Sequence, residues 1–141
     1  MIPIPLTIED VTPELCRDVF VKICGGRIKQ HPSIAIPDCE LWIINGTKTR
    51  HVKNKGDFNP FVWIQDTLLC MPWVNENEII IEIRCVPHDF GMIYEIELFH
   101  SEHNKLDNIC DGYGENLPFV LMLAIIKAYN KIEEMRDDKK T

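Results

Sequence analysis

Between Glu115 and Asn130 the chain reads "ENLPFVLMLAIIKAYN", and this stretch restricts the possible folds more than any other. Its uninterrupted apolar run, Leu117 to Ile126, is 10 residues long and Lys127 ends it. A membrane-crossing helix needs roughly 20 apolar residues, so the segment reads as a core helix and no membrane is expected as a partner. Asn116 is placed to cap it, with Pro118 in the first turn. Leu117, Val120, Leu121, Ala124 and Ile125 share one face, with Lys127 outside. Met122, Ile126 and Tyr129 lie on the other side. A helix that is apolar nearly all round needs cover on both sides, so that second face is expected to meet another copy of the chain.

The remaining elements follow from periodicity and punctuation. "VTPELCRDVFVKICGG" reads as the first helix. Thr12 is its cap, Pro13 its first position, and Glu14 favours the positive end of the dipole. Leu15, Val19, Phe20 and Ile23 form the inner face, and Gly25 or Gly26 supplies a left-handed terminus. "ELWIIN" is a strand. "NPFVWIQDTLLCMPW" has a second helix start at Asn59-Pro60, with Pro72 as its stop. "NEIIIEIRCV" and "GMIYEIELFH" alternate at period two and form a hairpin across "PHDFG". In it, Ile79, Ile81, Ile83 and Cys85 share a face, as do Tyr94, Ile96 and Leu98. "TKTRHVKNKGD" and "HSEHNKLDNICDGYGEN" read as loops. The expected fold is α+β, in which a small antiparallel sheet (the hairpin plus one or more further strands) packs with about three helices in an α/β/α sandwich-like arrangement.

The chain has 141 residues, enough for one domain. Its ordered core is expected over about 12–132, with a flexible basic loop at about 46–57 and a frayed tail at 133–141. Six cysteines sit at 16, 24, 39, 70, 85 and 110. Several lie within apolar runs, where Cys acts as a small buried hydrophobe, and "MIPIPLTIED" lacks the features of a secretory signal. Free thiols in a reducing cytoplasm are the expectation.

The net charge of -7 is unevenly spread. Residues 22–55 carry seven Lys and Arg against Asp38 and Glu40, whereas residues 76–115 carry ten carboxylates against Arg84 and Lys105. The acidic total makes nucleic acid an unlikely general partner. The basic runs "GGRIKQH" and "TKTRHVKNKG" combine glycine-rich backbone with side-chain donors, the chemistry that recognises anions. The candidate ligand residues are Gly25, Gly26, Arg27, Lys29, Lys48, Arg50, His51 and Lys53, with Trp73 as a stacking platform. No phosphate-binding or dinucleotide fingerprint accompanies them, and a solvated basic surface is the plain alternative.

Other constellations are weaker. His100, Glu102 and His103 lack the spacing of a metal set, and Cys85 with His88 lacks a third member and an oxyanion loop. Glu82, Glu95 and Glu97 read as a solvated face with Arg84 as counter-ion. No catalytic residue, metal or cofactor is assigned.

Four segments together resemble the phage ABA sandwich domain family of small phage proteins. They are the glycine-ended "PELCRDVFVKICGG", the proline-started "GDFNPFVWIQDTL", the hairpin, and the closing "NLPFVLMLAIIKAY". The resemblance covers roughly residues 13–130 as a pattern. It departs from the family in the long basic segment at 27–57 and in bulky residues where the last helix is usually Ala-rich. It implies a phage origin, the cytoplasm of an infected bacterium and the fold, but no chemistry. From that origin, the expected role is an accessory protein that antagonises host antiphage defence by sequestering a small nucleotide-like anion. The alternatives are an inhibitor that blocks a host effector protein and a small enzyme acting on a phosphorylated substrate.

Overall fold

The computed structural model describes residues 1–30, 40–45, 50–54, 56–89, 91–100 and 110–140. α1 (Pro13–Asp18) starts as its sequence dictates: Thr12 is extended and its Oγ1 accepts the Leu15 N–H at 3.1 Å, and Pro13 occupies the first turn. The helix then widens into a π turn over Val19–Ile23, closed by the Cys24 N–H donating to the Val19 carbonyl at 3.0 Å. Leu15, Val19, Phe20 and Ile23 are all buried, as their spacing predicts. Gly25 takes φ +70°, and the Gly26 N–H returns to the Phe20 carbonyl at 2.9 Å. A Cβ on Gly26 would run into the Phe20 ring, so the tight approach depends on glycine.

Among the described residues, six strands form two three-stranded antiparallel sheets. The first contains β1 (Arg27–Gln30), β2 (Glu40–Asn45) and β3 (Arg50–Asn54), in the order β1-β2-β3. The second contains β4 (Ile79–His88), β5 (Gly91–His100) and β6 (Cys110–Gly114), in the order β4-β5-β6. The hairpin and "ELWIIN" are where they were expected. Three other strands were not expected: β3 and β6 fall in the two segments read as loops, and β1 in the basic run after the first helix, to which no strand was assigned. Each flanks an apolar central strand, β2 or β5, so pairing rather than its own pattern makes it a strand.

The central helical segment also differs from its reading. Asn59 Oδ1 accepts the Phe61 N–H at 3.1 Å and the Asn59 carbonyl accepts from Val62 and Trp63, but this closes a turn. α2 (Ile64–Thr67) follows, then a 3-10 turn over Leu68–Cys70, then α3 (Met71–Glu76). Pro72 lies in the first turn of α3 and begins that helix rather than stopping the previous one. Its fixed φ and missing N–H suit a first turn as well as a stop.

α4 (Leu117–Lys140) closes the fold. It lies against β5 and β6 on one side and α2 on the other. Val120, Leu121, Ala124 and Ile125 are buried, and so are Met122 and Ile126. Met122 Sδ lies 3.8 Å from Cys70 Sγ, and the Tyr129 ring centroid is 5.7 Å from that of Trp73. The face expected to meet a second copy is therefore covered by the chain's own helices. Residues 133–140, expected to fray, continue the helix.

The N-terminal segment is tied down as well. Ile2 N–H donates to Asn130 Oδ1, and Asn130 Nδ2–H donates back to the Ile2 carbonyl, both at 2.8 Å. One apolar core joins α1, β2, the segment around Phe58, β5 and α4. Phe20 sits with its ring centroid 5.0 Å from both Trp42 and Phe58. The fold is α+β. Among the described residues, no helix is long and apolar enough to cross a membrane.

Leu121→Asp would bury a carboxylate with no counter-charge, at a cost of several kcal/mol. It should lose cooperative thermal unfolding by circular dichroism, while Lys131→Asp on the exposed side should keep it.

Candidate functional site

The three-stranded sheet of β1–β3 brings the two basic segments together. Arg27 is in register with Ile43, which pairs with Val52; Lys29 is in register with Leu41, which pairs with Asn54. Arg50 is in register with Asn45. Positions 41 and 43 lie on one face of β2, so alternation assigns their partners Lys29 and Arg27 to that same face. With adjacent strands about 4.8 Å apart, β1 and β3 run roughly 10 Å from each other. Arg27 and Lys29 are exposed. His51 and Lys53 are in register with Ile44 and Trp42. Lys48 lies outside the described residues.

Two expected members do not join this face. The Gly26 N–H is spent on the Phe20 carbonyl and is not available to an anion. Trp73 is buried against Tyr129, so it offers no stacking platform. Trp63 is the tryptophan that faces outward, 54% exposed beside the exposed side chains of Val62, Ile64 and Leu68. Glu40, at the start of β2, accepts from Trp42 Nε1 at 3.1 Å and from Arg17 Nη1 at 3.2 Å, which ties α1 to this sheet.

The second sheet is the acidic counterpart. Glu82 lies opposite Glu97, and Glu97 opposite Asp111. Arg84 Nη2 reaches Glu97 Oε1 at 3.1 Å, and its Nε lies 3.9 Å from Glu95 Oε2. This is the solvated face with Arg84 as counter-ion. Among the described residues, no three His, Cys, Asp or Glu side chains are grouped to hold a metal ion. Glu102 and His103 lie outside the described residues. Cys85 and His88 are three positions apart on β4 and so fall on opposite faces.

A cleft of about 430 Å³ lies between the N-terminal segment and α1, lined by Ile4, Leu6 and Leu15 with Asp10, Glu14 and Asp18. Its carboxylates oppose anion binding, so it is not the basic site.

The interior holds a polar cluster that sequence reasoning missed. Asp66 and Thr67 are buried: Asp66 Oδ2 accepts the Asn59 N–H at 3.0 Å, and Thr67 Oγ1–H donates to the Pro60 carbonyl. The signal was an Asp-Thr pair within an otherwise apolar helical run. Cys24 and Cys70 approach to 3.5 Å between sulfurs. Burial pushes the Cys16 thiol up to about 11, and the Asp66 carboxylate adds to the effect. The Cys70 thiol is also raised, first by its hydrogen bond with Cys24 and then by burial. Such thiols stay protonated and inert.

Comparison with protein-family models, curated proteins and solved structures finds no match. The likeness to the phage ABA sandwich domain thus rests on the four segments that carry it.

The thiols make a chemical test. Cys85 is exposed and should react rapidly with a thiol reagent in the native protein, and Cys85→Ser should lower the amplitude of that phase by one thiol. Cys16, Cys24 and Cys70 should react only on unfolding. Because its folded value is raised, the Cys16 contribution to stability is fully present below its ordinary value of 9.0 and is lost as pH rises towards about 11. Urea midpoints should therefore fall across that window, and fall less in Cys16→Val.

Proposed function

We propose that the protein acts by binding, and that the sheet carrying Arg27, Lys29 and Arg50 recognises a small anion. The observation that supports this most directly is the register of β1–β3, which brings two basic segments far apart in sequence into one sheet. Cations outnumber carboxylates on the first sheet and carboxylates outnumber cations on the second, so an anion meets net attraction at one and net repulsion at the other. Arg27 and Lys29 project from a paired strand, which holds their backbone in place before a ligand arrives and lowers the ordering cost of binding. Combined with the phage resemblance, the reading is an accessory protein that sequesters a nucleotide-like signal of a bacterial host's antiphage defence.

A second reading has its own observation. Trp63, Ile64 and Leu68 form an exposed apolar group on and beside α2, the kind of surface on which a partner protein docks. In that reading the protein blocks a host effector directly.

A thermal-shift series with mono-, di- and cyclic nucleotides separates the two. Sequestration predicts a rise in Tm that grows with ligand concentration, because the ligand stabilises only the folded state. Arg27→Ala and Lys29→Ala should each weaken binding by about ten- to hundredfold, the loss of one charge-assisted contact at about 1.5–3 kcal/mol. The Tm of the free protein should stay within a few degrees, because both side chains are exposed. No shift with any nucleotide, together with a host protein whose capture is abolished by Trp63→Ala, would establish the second reading instead.

A further inference from the structure

β4 is an edge of its sheet, and most of it is exposed. Ile80 is 49% exposed, Ile83 44% and Val86 36%, so apolar side chains reach solvent from both faces of a ten-residue edge. Edges of this kind are usually blunted by charged side chains (lysine above all), by proline, by an inward charge or by a bulge. β4 contains no lysine, its register with β5 runs without interruption from Ile79 to His88, and its proline, Pro87, stands next to the end, which leaves the stretch before it open to pairing.

The proline near its end reveals which backbone groups are unused. Pro87 has no N–H, yet it keeps its place in the ladder opposite Met92, so its nitrogen lies on the side away from β5. Direction alternates along an antiparallel strand. Ile79, Ile81, Ile83 and Cys85 therefore turn their N–H and C=O groups outward with Pro87.

A second copy of β4, running antiparallel, bonds only when outward groups face outward groups. The two-fold axis must then pass through a residue rather than between two. An axis at Glu82 would set Glu82 against itself, and an axis at Arg84 would set Arg84 against itself. Like charges directly opposite are destabilising. An axis at Ile83 sets Glu82 opposite Arg84 of the second copy, Ile80 opposite Val86, Ile81 opposite Cys85, Ile83 opposite itself, and Ile79 opposite Pro87, where the Ile79 carbonyl receives no hydrogen bond. Every apolar side chain then meets an apolar or thiol side chain, and both charges meet their opposites. Glu82, which faces the like-charged Glu97 within its own sheet, gains a cation on its other side.

We propose that β4 is a self-pairing edge, through which two copies of the chain join antiparallel about Ile83 into one continuous six-stranded sheet. The surface is independent of the anion reading, since the acidic sheet carries it and Arg27 and Lys29 lie elsewhere. It also takes the place of the last helix as the contact between copies.

Sedimentation equilibrium on the full chain tests this. The wild type should be a dimer. Glu82→Arg should be a folded monomer by circular dichroism, because it sets Arg against Arg84 of the second copy while giving Glu97 a favourable neighbour within the sheet. In a Cys85→Ser background, Ile83→Cys should form an intermolecular disulfide with diamide, and Ile80→Cys should not, since only position 83 meets itself. A monomeric wild type, or a dimer that Glu82→Arg leaves intact, overturns the proposal. So does cross-linking at position 80 but not at 83.

Discussion

Val120 and Met122 point from α4 in nearly opposite directions, and both are buried. Val120 packs so closely on β6 that a Cβ on Gly114 would sit 2.8 Å from its Cγ2, while Met122 meets Cys70 in the helical layer. Fully burying an aliphatic side chain contributes about 1.5–3 kcal/mol, so a helix with apolar residues on both sides gains most between two layers. Much of the remaining arrangement follows from this. β5 and β6 lie along one side of α4, and α2 with the Cys70 turn along the other. Phe61 and Trp73 stack on Phe119 and Tyr129. The first residues of the chain fold back to hydrogen-bond Asn130 near its far end.

The charges are distributed by sheet. The β1–β3 sheet carries Arg27, Lys29, Arg50 and Lys53 against Glu40, and the β4–β6 sheet carries Glu82, Glu95, Glu97 and Asp111 against Arg84. Cross-strand pairs of like charge weaken a sheet, and the second sheet contains a row of them. Arg84 offsets part of that cost by reaching Glu95 and Glu97 together. Its exposure keeps these bridges weak, so they orient side chains more than they stabilise the fold.

The inner polar cluster shows how the helical layer is held. Asp66 and Thr67 tie α2 to the turn that precedes it, through Asn59 and the Pro60 carbonyl. Burial above all keeps the Cys16 thiol neutral, and the hydrogen bond with Cys24 followed by burial does so for Cys70, with the Asp66 carboxylate adding to both. A cysteine here acts as a small apolar residue with a weak donor.

Local rules carried the sequence a long way. The Thr12 cap, the inner face of α1, the left-handed Gly25, the hairpin alternation of β4 and β5 and the inward face of α4 were all legible. Each depends on a residue's own conformational preference or on the period of its neighbours. What the sequence did not reveal depends on partners distant along the chain. "RIKQ" and "RHVKN" lack a strand pattern and became strands because β2 lies between them. Trp63 and Trp73 sit in similar local surroundings, and only the position of Tyr129 decides that the second is covered. Met122 and Ile126 looked available to another copy until the turn at Cys70 covered Met122. The same holds for the basic surface. Sequence supplied its charges, but strand pairing alone brought the two segments into one sheet, because β2 bonds to both of them.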